Sequence, residues 1–137
     1  MISMVTNMRY LLDTHTLLWA LEDNPSLPES IKEIIIDENN EIFVSGVSIW
    51  EISIKHKKSP YLLPYSGKEI VHFSQRAGYR FLAISIEDTM ALEDFDHKEH
   101  KDPFDIMLIA QCINAKMKII THDSKLKEVS QDTTLYF

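Results

Sequence analysis

Five acidic side chains stand where a carboxylate is hard to leave without a partner: Asp13, Glu51, Asp102, Asp105 and Asp123. The densest stretch is His100-Lys101-Asp102-Pro103-Phe104-Asp105, which runs directly into the apolar Ile106-Met107-Leu108-Ile109-Ala110. Proline suits the first turn of a helix, where its missing N–H would be unpaired anyway. Asp102 therefore reads as a helix N-cap, and Asp105 falls in the first turn of a helix that goes on into the core. A carboxylate at the mouth of a buried helix is poorly solvated and needs an N–H, a cation or a metal. Asp13 and Asp123 each close a short apolar run, Tyr10-Leu11-Leu12 and Lys118-Ile119-Ile120-Thr121, and Glu51 lies about one turn into a further helix. Carboxylates sharing one pocket repel, which raises the pKa of some of them unless a cation is present. Oxygen donors without a His or Cys set select a hard ion, Mg²⁺ or Mn²⁺. That is the chemistry of phosphodiester hydrolysis, in which one metal lowers the pKa of the attacking water and a second steadies the leaving oxygen.

Each acid also has an ordinary reading. Asp102 caps a helix in either case and is a ligand in only one of them. Asp13 and Asp123 taken singly are strand-end turn residues, and Glu51 pairs with Lys55 one turn on as a solvated helix acid would. Their coincidence at strand ends and helix starts favours a shared pocket. His15, His97, His100 and His122 lack the spacing of a zinc site and the cysteines to match.

The elements that would position these groups follow from hydrophobic pattern and breakers. Tyr10-Leu11-Leu12 reads as a strand, followed after Asp13-Thr14-His15 by a helix through Leu17-Leu18-Trp19-Ala20-Leu21. Pro28-Glu29-Ser30 opens a second helix to about Asp37, with Ile31, Ile34 and Ile35 on one face. Ile42 to Ser45 is a strand, and Val47 to Lys55 a helix with Ile49, Ile52 and Trp50 inward. A helix from Ser66 to about Gly78 ends on a glycine C-cap. Phe81 to Ile86 reads as a third strand, Glu87 to about Phe95 as a short helix, and 96–101 as a charged loop. The Asp102 helix runs to about Ala115, Lys118 to Thr121 is a strand, and Thr134 to Phe137 a possible fifth. Near-continuous apolar strands alternating with helices predict an α/β fold, a mostly parallel sheet of four to five strands with helices on both faces. In such a sheet the carboxyl ends of the strands border one crevice, where ligands bind.

Composition narrows the function. The chain has 137 residues, enough for one domain, with 45% hydrophobic and 26% charged residues, as in ordinary globular proteins. Residues 1–7 match no element and read as an extension or frayed end, leaving 8–137 as the domain. No apolar run reaches the roughly 18 residues that span a bilayer, and the first residues lack signal-peptide order, so a cytoplasmic location with no membrane partner is expected. A formal charge of −7 argues against a simple basic nucleic-acid binder, though bound divalent ions would invert the local field. Cys112 is the single cysteine and reads as a small core residue.

Four motifs, in order, resemble PIN-domain ribonucleases, and within them VapC-type toxins of toxin–antitoxin pairs. They are Tyr10-Leu11-Leu12-Asp13-Thr14-His15; Ser48-Ile49-Trp50-Glu51-Ile52; His100 to Asp105 with Leu108-Ile109-Ala110-Gln111; and Ile120-Thr121-His122-Asp123. The resemblance implies Asp13, Glu51, Asp105 and Asp123 as the catalytic, metal-binding acids for Mg²⁺ or Mn²⁺. Asp102 either joins them or only caps its helix, and Thr14 and Thr121 are supporting hydroxyls. It further implies an RNA substrate cut to a 5′-phosphate and a 3′-hydroxyl, a VapB-like antitoxin that inhibits the enzyme, and a homodimer. Lys55, Lys98 and Lys101 flank the acids and are candidates for the RNA backbone, while Lys57 and Lys58 read equally well as a solvated face. Leu17, Leu18, Trp19, Leu21, Ile34 and Ile35 offer more apolar surface than two short helices need, which fits an antitoxin groove or a homodimer interface.

Two other classes share the gross architecture. A phosphatase of the haloacid dehalogenase type wants a second Asp two residues after the first, where this chain has His15. A phospho-receiver module wants adjacent acids at the first strand and a Lys ending the last inner strand, where this chain has His122-Asp123.

Overall fold

The computed structural model describes residues 8–94 and 102–137. The expected extension over residues 1–7 and the charged loop with Lys98 and Lys101 lie outside the described residues. Five parallel strands, β1 (Arg9–Leu12), β2 (Glu41–Ser45), β3 (Arg80–Leu82), β4 (Lys118–Thr121) and β5 (Thr134–Tyr136), form one sheet in the order β3-β2-β1-β4-β5. Among the described residues seven α-helices connect them: α1 (Thr14–Glu22), α2 (Glu29–Ile36), α3 (Gly46–Lys58), α4 (Gly67–Arg76), α5 (Ile86–Ala91), α6 (Pro103–Ala115) and α7 (Ser124–Val129). A 3₁₀ turn, Gln131–Thr133, leads into β5.

Period-two alternation along the central strands builds two cores. Tyr10, Leu12, Ile42, Val44 and Ile120 face one side of the sheet with Leu17, Ile31, Ile35, Ile52 and Ile70 from the helices. Leu11 and Ile119 face the other side with Leu108, Ile109, Cys112 and Leu126. Successive strand side chains point to opposite faces, so a strand buried on both faces must be apolar throughout. The Cys112 thiol is wholly buried and pushed well above its ordinary pKa, which makes it inert.

Helix ends follow local chemistry. The Ser66 hydroxyl accepts from Glu69 N while Glu69 Oε1 accepts from Ser66 N, a capping box that starts α4. After Arg76 the chain turns through Gly78 at φ 84°, a left-handed position that favours glycine.

Several expectations are corrected. The third strand ends at Leu82 rather than Ile86. Ser85 forms a capping box with Asp88, which draws Ile86 into the first turn of α5 and leaves it exposed. Helix α7 was not anticipated, although Asp123 followed by Leu126 and Val129 carries a cap and an i, i+3 apolar pair. Trp50 is not inward: it is 56% exposed, its ring edge-on to Phe104 at 5.0 Å. Leu17 and Ile35 are buried in the core, so of the apolar set offered to a partner only Leu18, Trp19, Leu21 and Ile34 keep partial exposure.

Candidate active site

The strand order reverses direction between β1 and β4, and in open α/β sheets the ligand crevice opens at that point, beyond the carboxyl ends of the strands. Asp13 follows β1 and Asp123 follows β4, so the two acids flank the crevice. The 2-1-3-4-5 order of receiver modules is not the order found here.

Asp13 is 5% exposed and holds both neighbouring elements. Its Oδ1 accepts from Thr16 N at 2.8 Å, capping α1, and its Oδ2 accepts from the Thr121 hydroxyl on β4. Thr121 Oγ1 in turn accepts from Asp123 N at 3.0 Å. Burial raises the Asp13 carboxyl above its ordinary range, against the hydrogen bonds from Thr121 and Thr16, which lower it. Asp123 Oδ1 accepts from Lys125 N at 2.9 Å and caps α7.

Glu51 enters from the side on α3. It is 5% exposed, and Thr14 Oγ1 donates to its Oε1 at 2.7 Å. Ser48 Oγ lies 3.0 Å from Thr14 Oγ1. A hydroxyl carries one hydrogen, so with Thr14 donating to Glu51, Ser48 is the donor in the second contact. Lys55 Nζ sits 2.5 Å from Glu51 Oε2. Lys55, expected on the RNA backbone, is thus half-exposed and paired to a site acid.

Asp102 caps α6 as expected, its Oδ1 accepting from Phe104 N at 2.9 Å. Asp105, in the first turn of α6, is half-buried, and its carboxyl is pushed up to about 7. Desolvation contributes most, followed by the charges of Asp102, Asp13, Glu51 and Asp123. The four other acids therefore act on one side chain from two strand ends and two helices.

The donor set is wholly oxygen. Among the described residues no three His, Cys, Asp or Glu side chains are gathered closely enough to share one ion. Mg²⁺ needs less than that, since it keeps several waters and binds through one or two carboxylates. A poorly solvated Asp105 under the repulsion of four acids fits such an ion.

Gln111 and Ser45 form a support that sequence reasoning did not assign. Ser45 Oγ donates to Gln111 Oε1 at 2.5 Å, and Gln111 Nε2 donates to Ala83 O at 3.2 Å. This buried bridge joins α6 to the start of α3, the two helices that carry Asp105 and Glu51. A Gln among the apolar residues of α6 was the available signal. His122 lies outside the acid set: Nδ1 contacts Phe137 O, and the ring packs on Tyr136, Phe137 and Trp19.

Fold and site define a class. The PIN domain family model matches residues 10–132, and the chain belongs to that family. No curated protein matches the sequence. Among solved structures, a chain of VapBC2 from Rickettsia felis, bound to a DNA fragment from their promoter, is 17% identical with a TM-score of 0.71, over 94% of this chain and 98% of that one. VapBC-1 from nontypeable Haemophilus influenzae is 14% identical with a TM-score of 0.66 over the same shares. PAE2754 from Pyrobaculum aerophilum is 12% identical with a TM-score of 0.59, over 96% of this chain and 85% of that one. These likenesses are of fold. Among the described residues no helix is long and apolar enough to cross a membrane.

Proposed function

We propose that this chain is a VapC-like toxin, a metal-dependent endoribonuclease acting in the cytoplasm. The observation that carries the reading is that Asp13 and Asp123 follow the two strands that border the sheet's switch point and are tied together through Thr121, with Asp105 under the charge of both and of Glu51.

Asp13, Glu51, Asp105 and Asp123 are the residues that would hold Mg²⁺ or Mn²⁺, with Asp102 adding negative charge while capping α6. When bound, the metal supplies an acidified water and charge stabilisation at the phosphodiester. The chain's own residues prepare the place. Thr121 and Thr16 N fix both oxygens of Asp13, Thr14 fixes one oxygen of Glu51, and Lys125 N holds one oxygen of Asp123 at the start of α7. Lys55 neutralises part of the acid charge and stands where an RNA phosphate approaches, a role that Lys98 and Lys101 would share.

The likeness in fold to chains of VapBC2 and VapBC-1 supports a VapB-like antitoxin as partner. Leu18 and Leu21 line a hollow between α1 and α4 with Tyr65, Ile70 and Phe73, a surface suited to an apolar segment. Exposed apolar side chains such as Ile86 and Met90 are available to a homodimer interface.

The test is cleavage of a mixed pool of structured RNA, transfer RNA included, in Mg²⁺, in Mn²⁺ and in EDTA, beside an Asp105→Asn control. Cuts that need metal and vanish in the control are expected. Cutting that persists in EDTA, or in the control, would overturn the assignment.

A further inference from the structure

Next to the acids lies a hollow of about 300 Å³ whose walls are almost wholly apolar. Leu18, Ile52, Leu62 and Leu63 supply that surface, while Thr14 and Glu51 form the side it shares with the acid site. Two lysines and a histidine border it, one of the lysines paired to Glu51. Lys55 and Lys58 stand one turn apart at the end of α3, and His15 lies in the first turn of α1. Lys57, between them in sequence, does not line it, so only one face of the basic α3 terminus is turned to the hollow.

We infer that this hollow is a subsite for one unpaired nucleobase of the RNA, next to the phosphodiester held at the acids. The inference rests on the nuclease reading for the polymer's identity. An apolar slot with the Lys58 ammonium at its border, beside the Lys55–Glu51 pair, matches a nucleotide, whose flat ring is apolar on its faces and whose phosphate carries the charge. The volume is at the small end for ligand sites, suited to a single ring system rather than a length of chain. Continuity through Thr14 and Glu51 places the base beside the reacting phosphate. By contrast, the larger hollow of about 490 Å³ near Asn40 and Arg80 lies at the amino ends of β2 and β3, the opposite edge of the sheet from the acids. Unpaired bases splayed into pockets are the usual means of sequence reading on single-stranded RNA, so the hollow assigns base preference to Leu18, Leu62 and Ser59.

The experiment is an amide NMR titration of the full chain in EDTA with adenosine and uridine 5′-monophosphates, with ribose 5-phosphate as the probe lacking a base, and with N-acetyl-leucine amide as a peptide-like probe. The nucleotides are expected to shift the amides of Leu18, Ser59, Leu62 and Leu63, and ribose 5-phosphate to leave them in place. Leu62, 75% exposed, can be changed without disturbing the core, and Leu62→Asp should weaken nucleotide binding about tenfold. Equal shifts from ribose 5-phosphate, or no shift at these amides, would overturn the inference. Binding of the leucine probe alone would give the hollow to a protein partner and overturn it as well. No RNA is cut in this measurement, so a failure of the nuclease reading shows separately in the cleavage assay.

Discussion

Thr121 on β4 donates its hydroxyl to Oδ2 of Asp13 at the end of β1, and Thr121 Oγ1 itself accepts from Asp123 N at 3.0 Å. One buried hydroxyl thus sets the two acids that flank the crevice relative to each other. Thr121→Val keeps the shape and removes both contacts. Leaving buried polar groups unpaired costs about 1–3 kcal/mol, so chemical denaturation should register a loss of that order, with Thr121→Ser recovering most of it. RNA cleavage should fall with the valine and return with the serine.

The Asp105 carboxyl, at about 7 in the folded chain, lies above its ordinary 3.8. The folded state therefore binds more protons than the unfolded one between those values. Stability contributed by the neutral carboxyl is full below about pH 4 and is lost as pH rises through about 7. Asp13 shifts in the same direction. Thermal unfolding of metal-free protein should show Tm falling across this window, and Asp105→Asn should flatten the fall. Added Mg²⁺ should raise Tm more at neutral pH than at acid pH, because a ligand that binds only the folded state stabilises it. A Tm that rises from pH 4 to 7 would contradict the placement of Asp105 among the acids.

Lys55 and Glu51 form an i, i+4 pair in which the lysine is half-exposed and the glutamate is not. Solvent screening holds the coupling under about 1 kcal/mol. A double-mutant cycle with Lys55→Met and Glu51→Gln should report a value in that range, while Lys55→Met alone should weaken RNA binding and reduce its dependence on salt.

Gly67 at the start of α4 lies against α3. A Cβ there would stand 2.1 Å from Ser53 Oγ and 3.3 Å from Ile49 Cγ2. Overpacking of this kind costs about 1–3 kcal/mol, so Gly67→Ala should lower stability by that much. Ser53→Ala in the same chain removes the oxygen that is struck and should return most of the loss. Denaturation of the single and double variants checks both statements.

Much of the site was legible before folding because its carboxylates occupy positions with strong local rules. Asp102 before Pro103 is a helix start whatever surrounds it, and Asp13 and Asp123 end runs too apolar to be anything but interior strands. The α/β class followed from those runs, since strands buried on both faces need helices on both sides. Local chemistry also overrides hydrophobic pattern: Phe81 to Ile86 is apolar enough to predict a strand throughout, yet the Ser85–Asp88 capping box starts α5 and the strand stops at Leu82.

Tertiary structure decided what no spacing contains. Placing β4 beside β1 set Asp13 and Asp123 across one crevice, and that placement depends on contacts between residues more than a hundred positions apart, such as Thr121 with Asp13. The same packing buried Leu17 and Ile35, exposed Trp50, and turned Lys55 and Lys58 toward an apolar hollow. A hydrophobic pattern states that a face must be covered. Which element covers it, and which charges are thereby brought together, is fixed only when the whole chain has packed.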